Sequence, residues 1–367
     1  APSDPLVWAQ KQVETIPEFN WKGKYILSEK EMRKYWIKLR VEENTTLRKK
    51  YKNDPEGFRR AERQLENDVG KKFWPNNEIC IRHAEALRSE HPVLAKLWYF
   101  WGNHFTISDT QTLSSFSTGA YQREFLRSNM DKTFETMVKE ATLAWPMIMH
   151  LDNKDNVGPK SISGKEDWRR EKKKPATINE NHARELMELH TISPDGGYTQ
   201  EDVVELAKIM TGWRPKWTKG RDHGHDVSFD RERHEPGKKK VLGKVYKSGK
   251  KGIDLAIKDL VNHPSCRKFI STKLCKYLIT DNPTPEMIAP VIKAWEKSDG
   301  LLPEVHKAAI EVAFEYNNKY KKFQNPENWW LTTINMSGSN YKYPVSEYKM
   351  NQFVFGFKPS HEMRFPS

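Results

Sequence analysis

One stretch constrains this chain more than any other: NENHARELMELHTISPDGGYTQEDVVELAKIMTGW, residues 179–213. It reads as two helices joined by a tight turn. Thr177 precedes the first helix with Glu180 three positions on, the pattern of a capping box. Ala183, Leu186, Met187 and His190 follow at i, i+3, i+4 and i+7, one apolar stripe with a histidine on it. Glu180, Arg184 and Glu188 repeat at i, i+4 and i+8 on a neighbouring face, a ladder of opposite charges. Asp195-Gly196-Gly197 makes the turn, and Thr199 with Asp202 caps the second helix. Val203, Leu206, Ala207 and Met210 supply its buried stripe, Gly212 its stop, and Trp213 a core ring.

The same period recurs along most of the chain. Residues 28–54 and 55–73 are charged with spaced apolar positions. Residues 92–105 carry Leu94, Leu97, Trp98, Trp101 and Phe105, the spacing of a buried helix. One helix is expected over 121–145, and further helices from Gly252 onwards. Residues 225–246 alternate instead and read as a single two-stranded excursion carrying His234. The expected fold is therefore mainly α-helical, an irregular helical array with a small β-hairpin insertion. Residues 1–80 would form an N-terminal helical extension packed on a main helical domain at 81–337, followed by an irregular tail at 338–367.

Composition narrows the function classes. Thirteen Trp among 367 residues argue against disorder, and the formal charge of +13 predicts attraction to an acidic protein, polymer or lipid surface. Arg169, Arg170, Lys172, Lys173 and Lys174 cluster in a polar loop that serves either as solvated surface or as an anion- or partner-docking patch. Basic residues also gather at 238–240 and 247–251. No run of about 18 apolar residues occurs, so no transmembrane helix is expected. Cys80, Cys266 and Cys275 form no C-x-x-C or C-x-x-C-H, so covalent c-type haem is not expected and the cysteines read as small core residues. There is no G-x-S-x-G, P-loop or G-x-G-x-x-G, and no aromatic pattern of an RNA-binding sheet, so nucleic acid is not an expected partner. The chain opens on Ala-Pro-Ser, which fits an exported protein after removal of a signal peptide and equally an edited start; export is the expectation.

The long central motif closely resembles the signature of a bacterial family known as domain of unknown function 1800. Other segments agree in order: WYFWGNHF, MIMHLDN, FDRERHEPGKKKVLGK, NHPSCRKFISTKLCKYLI and FKPSHEMRFPS. The resemblance runs from about residue 80 to 367. His182 stands where the family usually has Tyr, and the Gly-Trp-Pro motif that normally follows the last segment is absent. The resemblance implies an exported, mostly helical, periplasmic or secreted protein. A sulfatase-like product of a neighbouring gene is a candidate partner.

His104, His190 and His234 fall within the matching motifs, as do Asp152, Glu185 and Glu188. Histidine with carboxylate is the usual donor set for a divalent metal. This makes the three histidines candidate ligands, and Asp152, Glu185 and Glu188 candidate catalytic acids or bases. The spacings do not place two ligands on one helix face, so a site would draw on separate elements. The alternative is architectural: a buried, hydrogen-bonded network that fixes helix register. Two functions stay open, a metal- or acid/base-dependent enzyme and a non-catalytic basic docking protein.

Overall fold

The computed structural model describes residues 2–19, 26–37, 44–72, 75–88, 90–108, 112–167, 176–215, 227–317, 319, 322 and 326–338. Helices dominate them. The N-terminal part carries α1 (Pro5–Lys11), α2 (Glu29–Ile37), α3 (Asn44–Lys50), α4 (Pro55–Lys72) and α5 (Pro75–Arg88). The centre carries α6 (Pro92–His104), α7 (Thr112–Tyr121), α8 (Phe134–Leu143), α9 (Trp145–His150), α10 (Ile162–Asp167), α11 (Asn181–Glu185) and α12 (Gln200–Met210). The C-terminal part carries α13 (Gly252–Val261), α14 (Pro264–Leu278), α15 (Pro285–Ser298), α16 (Leu302–Tyr316) and α17 (Pro326–Ser337). No described helix is long and apolar enough to cross a membrane.

Local chemistry sets the helix ends. Proline opens α1, α6, α14 and α15, where its missing N–H costs nothing. The Asp4 carboxylate accepts the Val7 N–H at 3.0 Å, and Thr133 accepts that of Thr136 at 3.2 Å. Thr199 and Asp202 form the expected reciprocal capping box on α12. Thr177 caps nothing: α11 begins at Asn181, with Glu180 at the cap position.

The helix expected over 121–145 is broken. A π-helical turn at Gln122–Leu126 and a 3-10 turn at Arg127–Asn129 precede the Thr133 cap of α8. The Asn129 side chain donates to the Phe125 carbonyl at 2.9 Å, offering the backbone a partner other than the next helical turn.

The β segments also depart from the expected single excursion. β1 (Trp213–Pro215) pairs antiparallel with β2 (Val227–Phe229), in the register Trp213 to Phe229. β3 (Lys239–Val241) pairs antiparallel with β4 (Lys244–Tyr246). Leu242 and Gly243 both have positive φ, at 47° and 79°, so the second ribbon closes on its own two-residue turn. That leaves β2 to find its partner in β1.

One hydrophobic core runs through the described helices. Trp98, Trp101, Phe105, Phe134 and Trp145 are all buried in it. On α6 the predicted stripe is buried at every position. Truncating a ring such as Trp101 to Ala would cost about 3–5 kcal/mol. The N-terminal segment sits on this body: α1 packs on α16, Lys307 pairs with Glu14 at 3.0 Å, and Gln12 accepts the Val93 N–H at 2.9 Å.

Buried asparagines lace the centre together. Asn153 donates to the carbonyls of Met210 and Trp213 at 3.2 and 2.9 Å, and Asn156 donates to Ala207 at 2.8 Å. Asn156 in turn accepts the Asn179 N–H at 3.1 Å. The MIMHLDN segment and the start of the central motif thus tie off the C-terminal end of α12, where carbonyls lack helical partners.

Candidate functional site

The central motif does not continue as one α-helix. After α11 the backbone widens into a π-helical turn over Leu186–Thr191. Thr191 Oγ1 donates to the Leu186 carbonyl at 2.6 Å, and the Ile192 N–H reaches Met187 at 2.9 Å. Such a turn carries an extra residue and often marks a functional region. It keeps His190 buried while its carbonyl turns towards α6.

His104, the last residue of α6, meets that carbonyl. Its Nε2 lies 3.1 Å from the His190 oxygen, and its Nδ1 lies 2.9 Å from Lys273 Nζ on α14. A carbonyl only accepts, so Nε2 carries the proton and Nδ1 is left to accept from the lysine. The His104 ring is packed among Phe100, Trp101, Phe105, Phe134 and Phe269.

Electrostatics follow from this dry setting. Burial holds His104 well below its ordinary value, helped by the positive charge of Lys273 and by His190. His190 falls to about 3, through burial first and then Lys273 and His150. His182 also falls to about 3, through burial and then His190 and His150. Burial lowers Lys273 to about 8. Neither ring nitrogen of His182 has a hydrogen-bond partner, and neither does Nδ1 of His190.

The expected residues separate into groups. His104 and His190 come together, with ring centroids 6.1 Å apart. His234 belongs elsewhere: its Nδ1–H donates to the Thr211 carbonyl at 2.9 Å, and its Nε2 accepts the Gly249 N–H at 3.0 Å. Both nitrogens are committed to holding a loop. Asp152 adopts a left-handed backbone and faces Lys154 at 3.5 Å. Glu188 accepts the Tyr198 hydroxyl at 3.3 Å. Glu185 is raised by burial and by Glu188, against the pull of Arg184. The charge ladder is real only in its first rung, Glu180 to Arg184 at 3.0 Å, because the π turn carries Glu188 over to Tyr198. Arg169, Arg170, Lys172, Lys173 and Lys174 lie outside the described residues.

This donor set does not fit a metal. His104 and His234 have no ring nitrogen to offer, and among the described residues no three of His, Cys, Asp or Glu converge as ligands. What the arrangement offers is a lysine amine on a neutral imidazole. Lys273 was not among the expected residues, yet its signal is in the sequence. Cys266, Ile270 and Lys273 fall at i, i+4 and i+7, a lysine on a buried stripe. Cys266 and Cys275 are free and buried, as expected of core residues.

No curated protein and no solved structure matches the chain. A family model described as "Protein of unknown function (DUF1800)" matches residues 9–359. The match takes in most of the N-terminal segment and every motif above but the last, of which it reaches only residues 357–359. The chain, itself mainly helical, belongs to this family of proteins of unknown function.

Proposed function

We propose that this chain is an exported enzyme of the acid/base class, with Lys273 as its reactive amine and His104 as the partner that orients it. The observation that carries the reading is the 2.9 Å contact between Lys273 Nζ and a His104 ring locked in one tautomer. An amine near pKa 8 is substantially neutral in mildly alkaline medium, and a neutral lysine is a base or a nucleophile towards a polarised carbonyl carbon. The unpartnered Nδ1 of His190, whose ring lies 6.1 Å from that of His104, adds hydrogen-bonding capacity beside it. Export rests on the family resemblance alone. Competitive labelling of the intact protein with acetic anhydride across pH tests the amine. Lys273 is expected to react with a midpoint near 8, well below the ordinary lysine value of 10.5. A Lys273 that titrates with the exposed lysines would sink the reading.

A second reading, docking of an acidic protein or polymer, draws on one feature. Lys238, Lys240, Lys244, Lys247 and Lys250 are exposed around the β3–β4 ribbon. Lys239, in the middle of the expected cluster, is buried against His234 and the Glu235 carbonyl and presents no charge there. Retention on immobilised polyglutamate that falls with salt, and that is lost when these five lysines become glutamine, would favour it.

A further inference from the structure

A cavity of about 520 Å³ opens far from Lys273 in sequence, between residues 16–19 and the turns at 122–131. Its floor is basic. Arg123 and Arg127 are 6% and 5% exposed, held on the π-helical and 3-10 turns that interrupt the helix after α7. Arg127 Nη1 donates to the Pro17 carbonyl at 3.0 Å, and Arg123 Nη2 donates to Leu27 at 2.6 Å. Both guanidinium groups lie over the Phe19 ring, at 5.3 Å for Arg123 and 5.6 Å for Arg127. Arg127 also lies 5.9 Å from Trp98. Arg127 thus rests on a carbonyl and two aromatic faces, and Glu85 acts on it only through space. The Arg127 guanidinium has five donors in a fork, and the Pro17 carbonyl accepts from one nitrogen of it.

The walls decide what such a fork receives. Ile16, Pro17 and Phe19 make one side apolar. Glu18 and Glu124 stand exposed in the lining, and Asp131, paired with Lys132 at 3.3 Å, completes it. A simple anion reaching the arginines would pass these carboxylates at a cost. A ligand with a cationic group beside its carboxylate satisfies both layers, and the volume suits a small organic molecule.

We propose that this cavity binds a zwitterion of the amino-acid class, its carboxylate on Arg127, its ammonium towards Glu18, and its side chain on Phe19 and Ile16. The N-terminal segment would then be a wall of a binding site, and not only an extension packed on the body.

Calorimetric titration of the full chain tests this, taking the twenty L-amino acids one at a time at millimolar concentration. For L-leucine, 4-methylpentanoate and 3-methylbutylamine serve as the analogues that lack one charge each. At least one amino acid is expected to bind. Arg127→Lys keeps the charge and loses the fork, and Glu18→Gln lies at an exposed position. Each is expected to weaken binding by about tenfold or more. Each single-charge analogue should bind correspondingly less than its parent. Equal binding of parent and carboxylate analogue would overturn the zwitterion. Failure of every amino acid to bind would overturn the site.

Discussion

Trp101 Nε1–H donates to His306 Nε2 at 3.0 Å, joining α6 to α16 in the middle of the core. Both residues are fully buried, and the bond fixes His306 as a neutral ring. Burial takes His306 to about 3, as it does His182 and His190. Above the unfolded value of 6.5 both states are neutral and stability is complete. Below it the unfolded ring takes a proton that the folded ring refuses until about pH 3. Stability is therefore lost as pH falls from 6.5 towards 3, by about 1.4 kcal/mol per pH unit for each such ring. Urea midpoints at pH 7, 6 and 5 should fall in sequence. A His306→Leu variant should show a shallower fall, whatever its stability at pH 7.

Lys273→Met removes the charge that faces His104 but keeps most of the stem. Burial is the first cause of the low His104 value and Lys273 the second, so the ring should titrate higher, yet still below 6.5. Imidazole resonances followed against pH give the answer. An unmoved His104 would mean that the two groups do not touch in solution.

Two glycines separate strain from collision. Gly212 and Gly237 have nearly equal φ, 85° and 84°, so an added methyl is equally strained in both. At Gly212 that methyl would also lie 2.4 Å from the Asp230 carbonyl oxygen, whereas at Gly237 nothing lies within 4 Å. Gly237→Ala should cost about 1 kcal/mol and Gly212→Ala clearly more, on the order of 3 kcal/mol. Comparing thermal midpoints of the two variants isolates the collision.

His234 spans two loops, so its loss should be felt at both. His234→Ala leaves the Gly249 N–H and the Thr211 carbonyl without their partner, at a cost of about 1–3 kcal/mol. Hydrogen exchange should quicken at Gly249. It should quicken at Glu235 as well, whose N–H rests on Thr211 Oγ1 at 2.8 Å. Unchanged protection at Gly249 would count against the cross-link.

The sequence by itself determined the helical character, the buried stripes of α6 and α12, the capping box at Thr199 and the stop at Gly212. Each of these follows from a local period or a local backbone need, and neighbours along the chain carry that information. The central motif was specific enough to indicate the family. Local pattern misled where the backbone changed its own period. The π turn over Leu186–Thr191 displaces the rung expected at Glu188, and the turns at 122–129 break an expected helix. Only tertiary structure decided which histidines meet. His104 and His190 lie 86 positions apart, and His234 shares their chemistry but spends both nitrogens on a loop. It also decided that the partner of His104 is Lys273, an amine on a buried stripe, and not a carboxylate. Period can flag a lysine on the wrong face of a helix. Only packing three helices together shows what that lysine touches, because the contact comes from folding and from no spacing along the chain.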